Sequence, residues 1–599
     1  MRLTGLPITL TLATCALCTP TGLGVPWADV SEGRHLTTGI MTRASGGHPY
    51  IRREIRDLKD HHPETWSLFL LGFRAFQQMD QNDPLSYYQI TGIHGRPWRP
   101  WQNANGVDNP GGNSYCPHNN MMFVPWHRPY VALFEQELHK HVRRVAEQAT
   151  TDQWRWIMVA DAFRLPYWDW ALGLHGGEFP EFFTTPTITV DGPQGQQTIL
   201  NPLYQYDFHP VSEKDFDGDW AHINMTVRCP TSHNPDMQSQ NQLIVQAIFD
   251  QRRNWHDNLA NYFSTSVDFN DFVTNLQGLH GNLHNVIGGS TPGVGHMLLF
   301  DYSAFDPVFM FVHANVDRLA TLYQAVHPES WMAPASSMDS GNFWIPNHVT
   351  LDADMQMQPF WRDKSSFYTP NEIRETSVFG YVYPETQRWN YASEQEWRTA
   401  VNASIALQYS TSARSVLTSG CQTSGQSLTH LLKDDTFTEW TTKVKASSLD
   451  MPPRFHVTFS LVGTFSSDKS TEVGIWVQQM ITKYEKNAWK ARQMEQKAKR
   501  YNSLEKNLEG TISLTASLLD QISGGNLKSL EAVDVVPYLK AHLTWKTFAD
   551  ADVIVQHQEY DSLDVEVVST QVRIPDDPKQ PLEYNSETTS HPEITQRNA

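Results

Sequence analysis

The sequence predicts two parts of different class: a mainly α region over residues 25–400 and a C-terminal β-rich region over 428–599. Three observations support this. Apolar residues recur at three- and four-residue steps in long stretches before residue 330, the mark of amphipathic helices. Gly, Ser and Thr crowd Ser410 to Ser427, which reads as an exposed linker, set here at 401–427. Beyond it, strict alternation takes over in Arg454–Phe465, Ala551–Tyr560 and Leu563–Ile574, as in an antiparallel sheet.

Taken in order, Tyr50 to Met79 is helical, with Ile51, Ile55, Leu58, Trp66, Phe69, Leu70, Phe73 and Phe76 on its apolar face. A loop rich in Gly, Pro, Asn and Trp follows from Gly92 to Asn120 and carries His94 and His118. In FVPWHRPYVALFEQELHKHV, Pro125 and Pro129 bracket a helix start, so His127 stands at the helix head. His139 and His141 are expected on its wet side. Loops and short strands are expected from Leu165 to about Asn241, then helices at Asn241–Leu259, Phe269–Val286 and Pro307–Ala325. Ser377–Glu385 reads as a strand closing the domain, and the Lys/Glu-rich stretch Lys483–Asn507 as a solvated helix.

The chain has 599 residues, enough for more than one domain. Its 46 basic and 65 acidic residues give a formal charge of −19, which argues against nucleic acid or an anionic membrane as partner. Residues 1–24 resemble a secretory signal: Arg2, an apolar run from Leu6 to Leu17, then small residues. No other run has the length of a membrane helix. Asn224 and Asn402 are glycosylation acceptors consistent with a secreted or vacuolar chain. Cys15 and Cys18 would leave with the signal. Cys116, Cys229 and Cys421 remain, too few for a disulfide scaffold, with a 229–421 bridge open.

The chemistry concentrates in the histidines. His280 and His284 stand at i and i+4, on one helix face, and His313 lies inside an apolar helix. The residue after His280 is Gly281, not the glutamate of a zinc-protease motif. His94, His118 and His127 form a second set. Six neutral nitrogens without carboxylate or thiolate favour copper. Two facing three-histidine sites leave an open face with room for a diatomic such as dioxygen.

These residues resemble a known family, the type-3 copper proteins: tyrosinases, catechol oxidases and molluscan-type haemocyanins. The likeness runs from YIRREIRDL at Tyr50 through IHG, C-P-H, WHRPY, LPYWDW, H-x-x-x-H and DPVF-x-x-x-H-x-NVDR to GYVY at 380–383. It implies a four-helix bundle with long loops holding two copper ions, zinc being the alternative. His94, His118 and His127 would hold one ion, and His280, His284 and His313 the other. It further implies a thioether between Cys116 and His118, and Phe300 as a substrate gate over the second copper. Tyr167, Trp168, Asp169, Glu135, Asp317 and Arg318 take structural roles, some orienting histidines. The C-terminal part, with YLKAHLTW, resembles a fungal shielding domain that a protease would remove.

Two departures bear on activity. Members that hydroxylate monophenols often carry Glu and Asn where this chain has Gln277 and Gly281, and neither replacement can act on a phenol proton. Asn285, after the second histidine, is a partial substitute. The expected function is oxidation of phenols, o-diphenols or o-aminophenols to o-quinones by dioxygen, in pigment or secondary metabolism. The alternative is a tailoring enzyme on the same fold, performing oxidative coupling or a zinc-dependent rearrangement. An oxygen carrier is a weaker fit to a single unit with a signal-like start. His256 and His296 are further histidines near this region, with core or surface positions the simpler reading.

Overall fold

The computed structural model describes residues 33–595 apart from 109, 290–292, 338–339, 420–426, 448–450, 452–453, 464–469, 480–506, 550–552 and 556–561. The signal-like segment, Cys421 and its bridge, and the Lys/Glu-rich stretch up to 506 lie outside the described residues.

The α region is built on a bundle. Strand β1 (Tyr50–Ile51) leads into α1 (Ile55–His61) and α2 (Pro63–Gln77), which the sequence reads as one helix. Pro63 opens α2, because proline at a first helical position gives up an N–H that has no partner there. Next come α3 (Tyr87–Gly92), α4 (Phe123–Glu147), α5 (Gln153–Ala162) and the hairpin β2 (Thr187–Gly192) with β3 (Gly195–Leu200). Helices α6 (Asn241–Thr265), α7 (Phe269–Gly288) and α8 (Val308–Val326) complete the bundle with α4. The Asp268 side chain caps α7 by accepting from the Asp271 N–H at 2.9 Å. At the start of α8, Asp306 accepts from the Val308 N–H at 2.9 Å.

Two expectations change here. His139 and His141 are buried, because α2 and α5 cover the face of α4 that was expected to be wet. His139 Nε2 meets the Ala160 carbonyl at 3.1 Å, and the His141 ring stacks on Phe76 at 5.3 Å. Second, the stretch 377–385 is mostly 3-10 turns, with strand only at β6 (Tyr381–Val382). It does close the domain, pairing in parallel with β1 through Tyr50–Tyr381 and Ile51–Val382. The small pair β4 (Ala335–Ser336) and β5 (Thr350–Leu351) lies between α8 and β6.

Two helices lie where the parts meet. Helix α9 (Glu394–Gln408) packs Trp397, Val401 and Ile405 into the α core, and Tyr409, which ends it, joins them. Helix α10 (Ser412–Thr418) places Ala413 and Leu417 in the β core. The chain thus passes from one core to the other between α9 and α10, since apolar helix faces go to whichever core is adjacent. Two four-stranded antiparallel sheets follow. One runs β10 (Asn507–Ser513), β7 (Thr436–Ser447), β13 (Asp564–Arg573), β14 (Glu583–Ser590). The other runs β12 (Val553–Val555), β11 (Leu543–Ala549), β8 (Arg454–Leu461), β9 (Thr471–Gln479). No helix among the described residues is long and apolar enough to cross a membrane.

Candidate metal centre

Helices α4, α7 and α8 and the loop after α3 bring buried donors into two clusters. Ligand atoms of His280, His284 and His313 lie within 4.8 Å of one another, as do those of His94, Cys116 and His127. On α7 the i, i+4 spacing sets the rings of His280 and His284 4.4 Å apart, and α8 lays His313 4.6 Å from His280. His127 of α4 stacks on His313 at 4.2 Å, so the clusters face each other.

His118 departs from expectation. Its ring is buried beside the first cluster, 5.6 Å from His94, but the Cys116 sulfur takes the place expected for its nitrogen. That sulfur lies 3.3 Å from both His118 Nδ1 and His127 Nε2. Held between the two rings, it keeps them apart.

Backbone carbonyls decide which nitrogens face inward. His127 Nδ1 meets the Phe123 carbonyl at 2.6 Å, His284 Nδ1 the Met297 carbonyl at 2.9 Å, and His94 Nδ1 the Phe300 carbonyl at 3.2 Å. A carbonyl only accepts, so each Nδ1 carries the proton and each Nε2 keeps its lone pair. His94 Nε2 and His284 Nε2 are buried with no hydrogen-bond partner among the described residues. His280 Nε2 and His313 Nε2 face each other at 3.0 Å. Burial holds all six histidines below their ordinary range, His127 at about 3 and His284 at about 4. They are neutral at pH 7, as metal ligation requires. Buried lone pairs without donors are costly unless a cation takes them. The donor set fits a pair of copper ions.

The acidic and basic residues for which structural roles were expected form buried ion pairs and hydrogen bonds with one another. Arg52 donates to Glu135 at 2.7 Å, and Arg128 to Asp317 at 2.6 Å. Tyr381 and Tyr383 hydroxyls both donate to Asp317 at 2.6 Å. Asp169 accepts from Arg318 at 3.0 Å and from the Tyr409 hydroxyl at 2.6 Å. These groups tie α4, α8 and the closing strand together. The carbonyls of Phe123, Met297 and Phe300 do the orienting, and a carbonyl leaves no mark in a sequence.

A cavity of about 180 Å³ opens on His118 and His280. Gln277, Gly278 and Gly281 of α7 line it, with Val477 and Gln478 of β9 and Leu508 and Glu509 of β10 opposite. Gln277 Nε2 donates to Asn119 at 2.9 Å, beside His118. Phe300, expected over the second cluster, has its ring 4.1 Å from His118 and 4.6 Å from His94, because its own carbonyl holds His94. Asn285 is half-buried on α7 and is not among the cavity's lining residues. His256 and His296 are core residues: His256 Nε2 meets the Gln408 carbonyl at 3.1 Å, and His296 is buried behind the 297–300 stretch. Asn224 is exposed and Asn402 half-buried.

Comparison with known proteins agrees with this geometry. A profile described as the common central domain of tyrosinase matches residues 84–326, and one described as the tyrosinase C-terminal domain matches 439–567. A tyrosinase of Neurospora crassa is 30% identical, with 93% of this chain and 97% of that protein aligned. The chain belongs to the tyrosinase family. A tyrosinase of Podospora anserina is 36% identical over 64% of this chain and 70% of its own length. The structure of latent and active mushroom tyrosinase matches this fold with a TM-score of 0.75, at 21% identity, covering 93% of this chain and 98% of that one. Aspergillus oryzae pro-tyrosinase matches at 0.66, with 19% identity, over 92% and 97%. As a member of this family the chain is an oxidoreductase of the type-3 copper phenol oxidase class, a family that acts on phenolic substrates with dioxygen.

Proposed function

We propose that this tyrosinase-family protein oxidises o-diphenols and o-aminophenols to o-quinone products, hydroxylates monophenols poorly, and is held back by its C-terminal part. The observation that supports the reading is the convergence of Nε2 lone pairs from α4, α7, α8 and the loop after α3 on one buried space. His94, His118 and His127 would hold one copper and His280, His284 and His313 the other. The bound pair supplies two-electron exchange with dioxygen. A thioether between the Cys116 sulfur and the His118 ring would take the thiol out of competition for the metal. Its formation, with two hydrogens lost to an oxidant such as dioxygen, is checked by the mass of the peptide carrying both residues.

The cavity's lining supports the proposed preference for o-diphenols. Gln277 cannot accept a phenol proton, and Gly281 has no side chain. Among the cavity's lining residues Glu509 is the one carboxylate; it sits on β10 and pairs with Lys445 at 3.4 Å. A catechol already carries both oxygens and needs no such base for ring hydroxylation. Val477 and Gln478 stand over the His280 face, so cleavage between α10 and β7 would widen the entrance. The N-terminal signal-like segment supports entry into the secretory pathway.

The test follows oxygen uptake on tyrosine, catechol and o-aminophenol, before and after limited proteolysis, with metal content measured on the same sample. Two coppers per chain and faster catechol turnover after cleavage are expected. A zinc-loaded protein inert toward all three phenols would overturn the proposal.

A further inference from the structure

One short stretch serves both clusters. The Met297 carbonyl holds His284 Nδ1 and the Phe300 carbonyl holds His94 Nδ1, at 2.9 and 3.2 Å. Residues 297–300 therefore set the tautomer of one histidine in each half of the centre. His296 stands just before them.

His296 is bound reciprocally to Val227. Its backbone N–H donates to the Val227 carbonyl at 2.9 Å, and its Nδ1 accepts the Val227 N–H at 3.0 Å. The ring is buried, edge-on to Trp220 at 4.7 Å and stacked with Phe208 at 6.0 Å. Burial lowers its pKa to about 3, so Nδ1 keeps the lone pair this bond needs at ordinary pH. The backbone here is interlocked. A Cβ on Gly295 would run into the Val227 carbonyl, and one on Gly288 into the Leu298 backbone. Next to Val227, Arg228 donates to both oxygens of Asp306 at 2.8 Å, and Asp306 caps the start of α8, which carries His313.

We infer that His296 is a positioning residue for both halves of the metal centre, acting through the Met297 and Phe300 carbonyls it fixes in place. The inference rests on the proposed function only in taking the two clusters as metal sites. Removing the acceptor should let the 297–300 stretch shift. His94 and His284 would then lose their preset tautomers together.

The test titrates zinc alone, and copper(I) alone, into metal-free protein by calorimetry. His296→Phe keeps a ring in the aromatic cage and removes the acceptor. It should weaken both ion-binding steps by about 10- to 100-fold, the usual cost of losing a ligand's outer support. His296→Asn returns an acceptor near the Nδ1 position and should restore most of the affinity. Phe208→Leu loosens the same cage without touching the Val227 bond. It should lower thermal stability while leaving affinity near wild type. Unchanged affinity in His296→Phe, loss at one step only, or equal loss in Phe208→Leu would overturn the inference. Should His296→Phe not fold, nitrogen NMR of the intact protein decides: an unprotonated, hydrogen-bonded Nδ1 on His296 is expected, and a protonated one refutes it. A protein that binds two ions yet oxidises no phenol would sink the functional proposal and leave this one standing.

Discussion

Asp317 shows how single residues hold this centre without touching it. Its carboxylate is fully buried and accepts from Arg128, Tyr381 and Tyr383, with Arg52 at 3.6 Å. Those cations keep it ionised below the ordinary carboxyl range against the cost of burial. The Tyr383 hydroxyl also meets the Ala314 carbonyl at 2.9 Å, next to His313. Asp317→Asn leaves the buried Arg128 guanidinium short of its counter-charge, while Arg52 keeps Glu135. A loss of about 3–5 kcal/mol in denaturant unfolding is expected, the scale for breaking a buried pair. The LPYWDW and NVDR motifs mark such residues as structural in the sequence. Which cation meets which anion is set by packing, since Arg128 and Asp317 are 189 positions apart.

At the scale of elements, α7 and β9 form the door to the centre. The sequence of α7 alone places His280 and His284 on one face. It also places Gly278 and Gly281 on a face bare of side chains, and there β9 sets Val477, 3.5 Å from where a Gly281 Cβ would lie. Val477→Phe should fill the opening of the uncut protein. A drop in kcat/KM for catechol of about tenfold, equal to about 1.4 kcal/mol, is expected, and cleaved protein lacking β9 should show none. Steady-state kinetics on cut and uncut samples reads this. The alternation in β8 and β13 is legible in the sequence. That β9 and β10 are the strands brought to the cavity is decided by sheet order, which no local pattern encodes.

For the whole molecule, two pH windows follow. His127, His139, His141, His284 and His296 have folded pKa values of about 3 to 4, below the ordinary 6.5. The unfolded chain therefore binds more protons, and their contribution, full above about 6.5, is lost as pH falls toward 4. The thermal midpoint of metal-free protein should drop across that window. Glu439 of β7 acts in the opposite sense. Burial, with Asp257 of α6 nearby, pushes its carboxyl up to about 7 from 4.5, so its contribution is lost as pH rises through 7. Glu439 Oε1 accepts from the Ser513 hydroxyl at 3.0 Å, and the Ser513 N–H donates to Asn258 of α6 at the same distance. The join between the two parts should loosen above pH 7, read as faster release by protease, and Glu439→Gln should remove that dependence.

The sequence by itself determined the helical and β-rich halves, the six histidines and their tyrosinase-like order, because these rest on period, spacing and residue type. Only the tertiary structure decided the rest. It buried His139 and His141, gave α9 to one core and α10 to the other, set the Cys116 sulfur between His118 and His127, and turned the nitrogens of His94, His127 and His284 inward. Each of these depends on a backbone or a neighbour distant in the chain, and such partners acquire meaning only when the core closes around them.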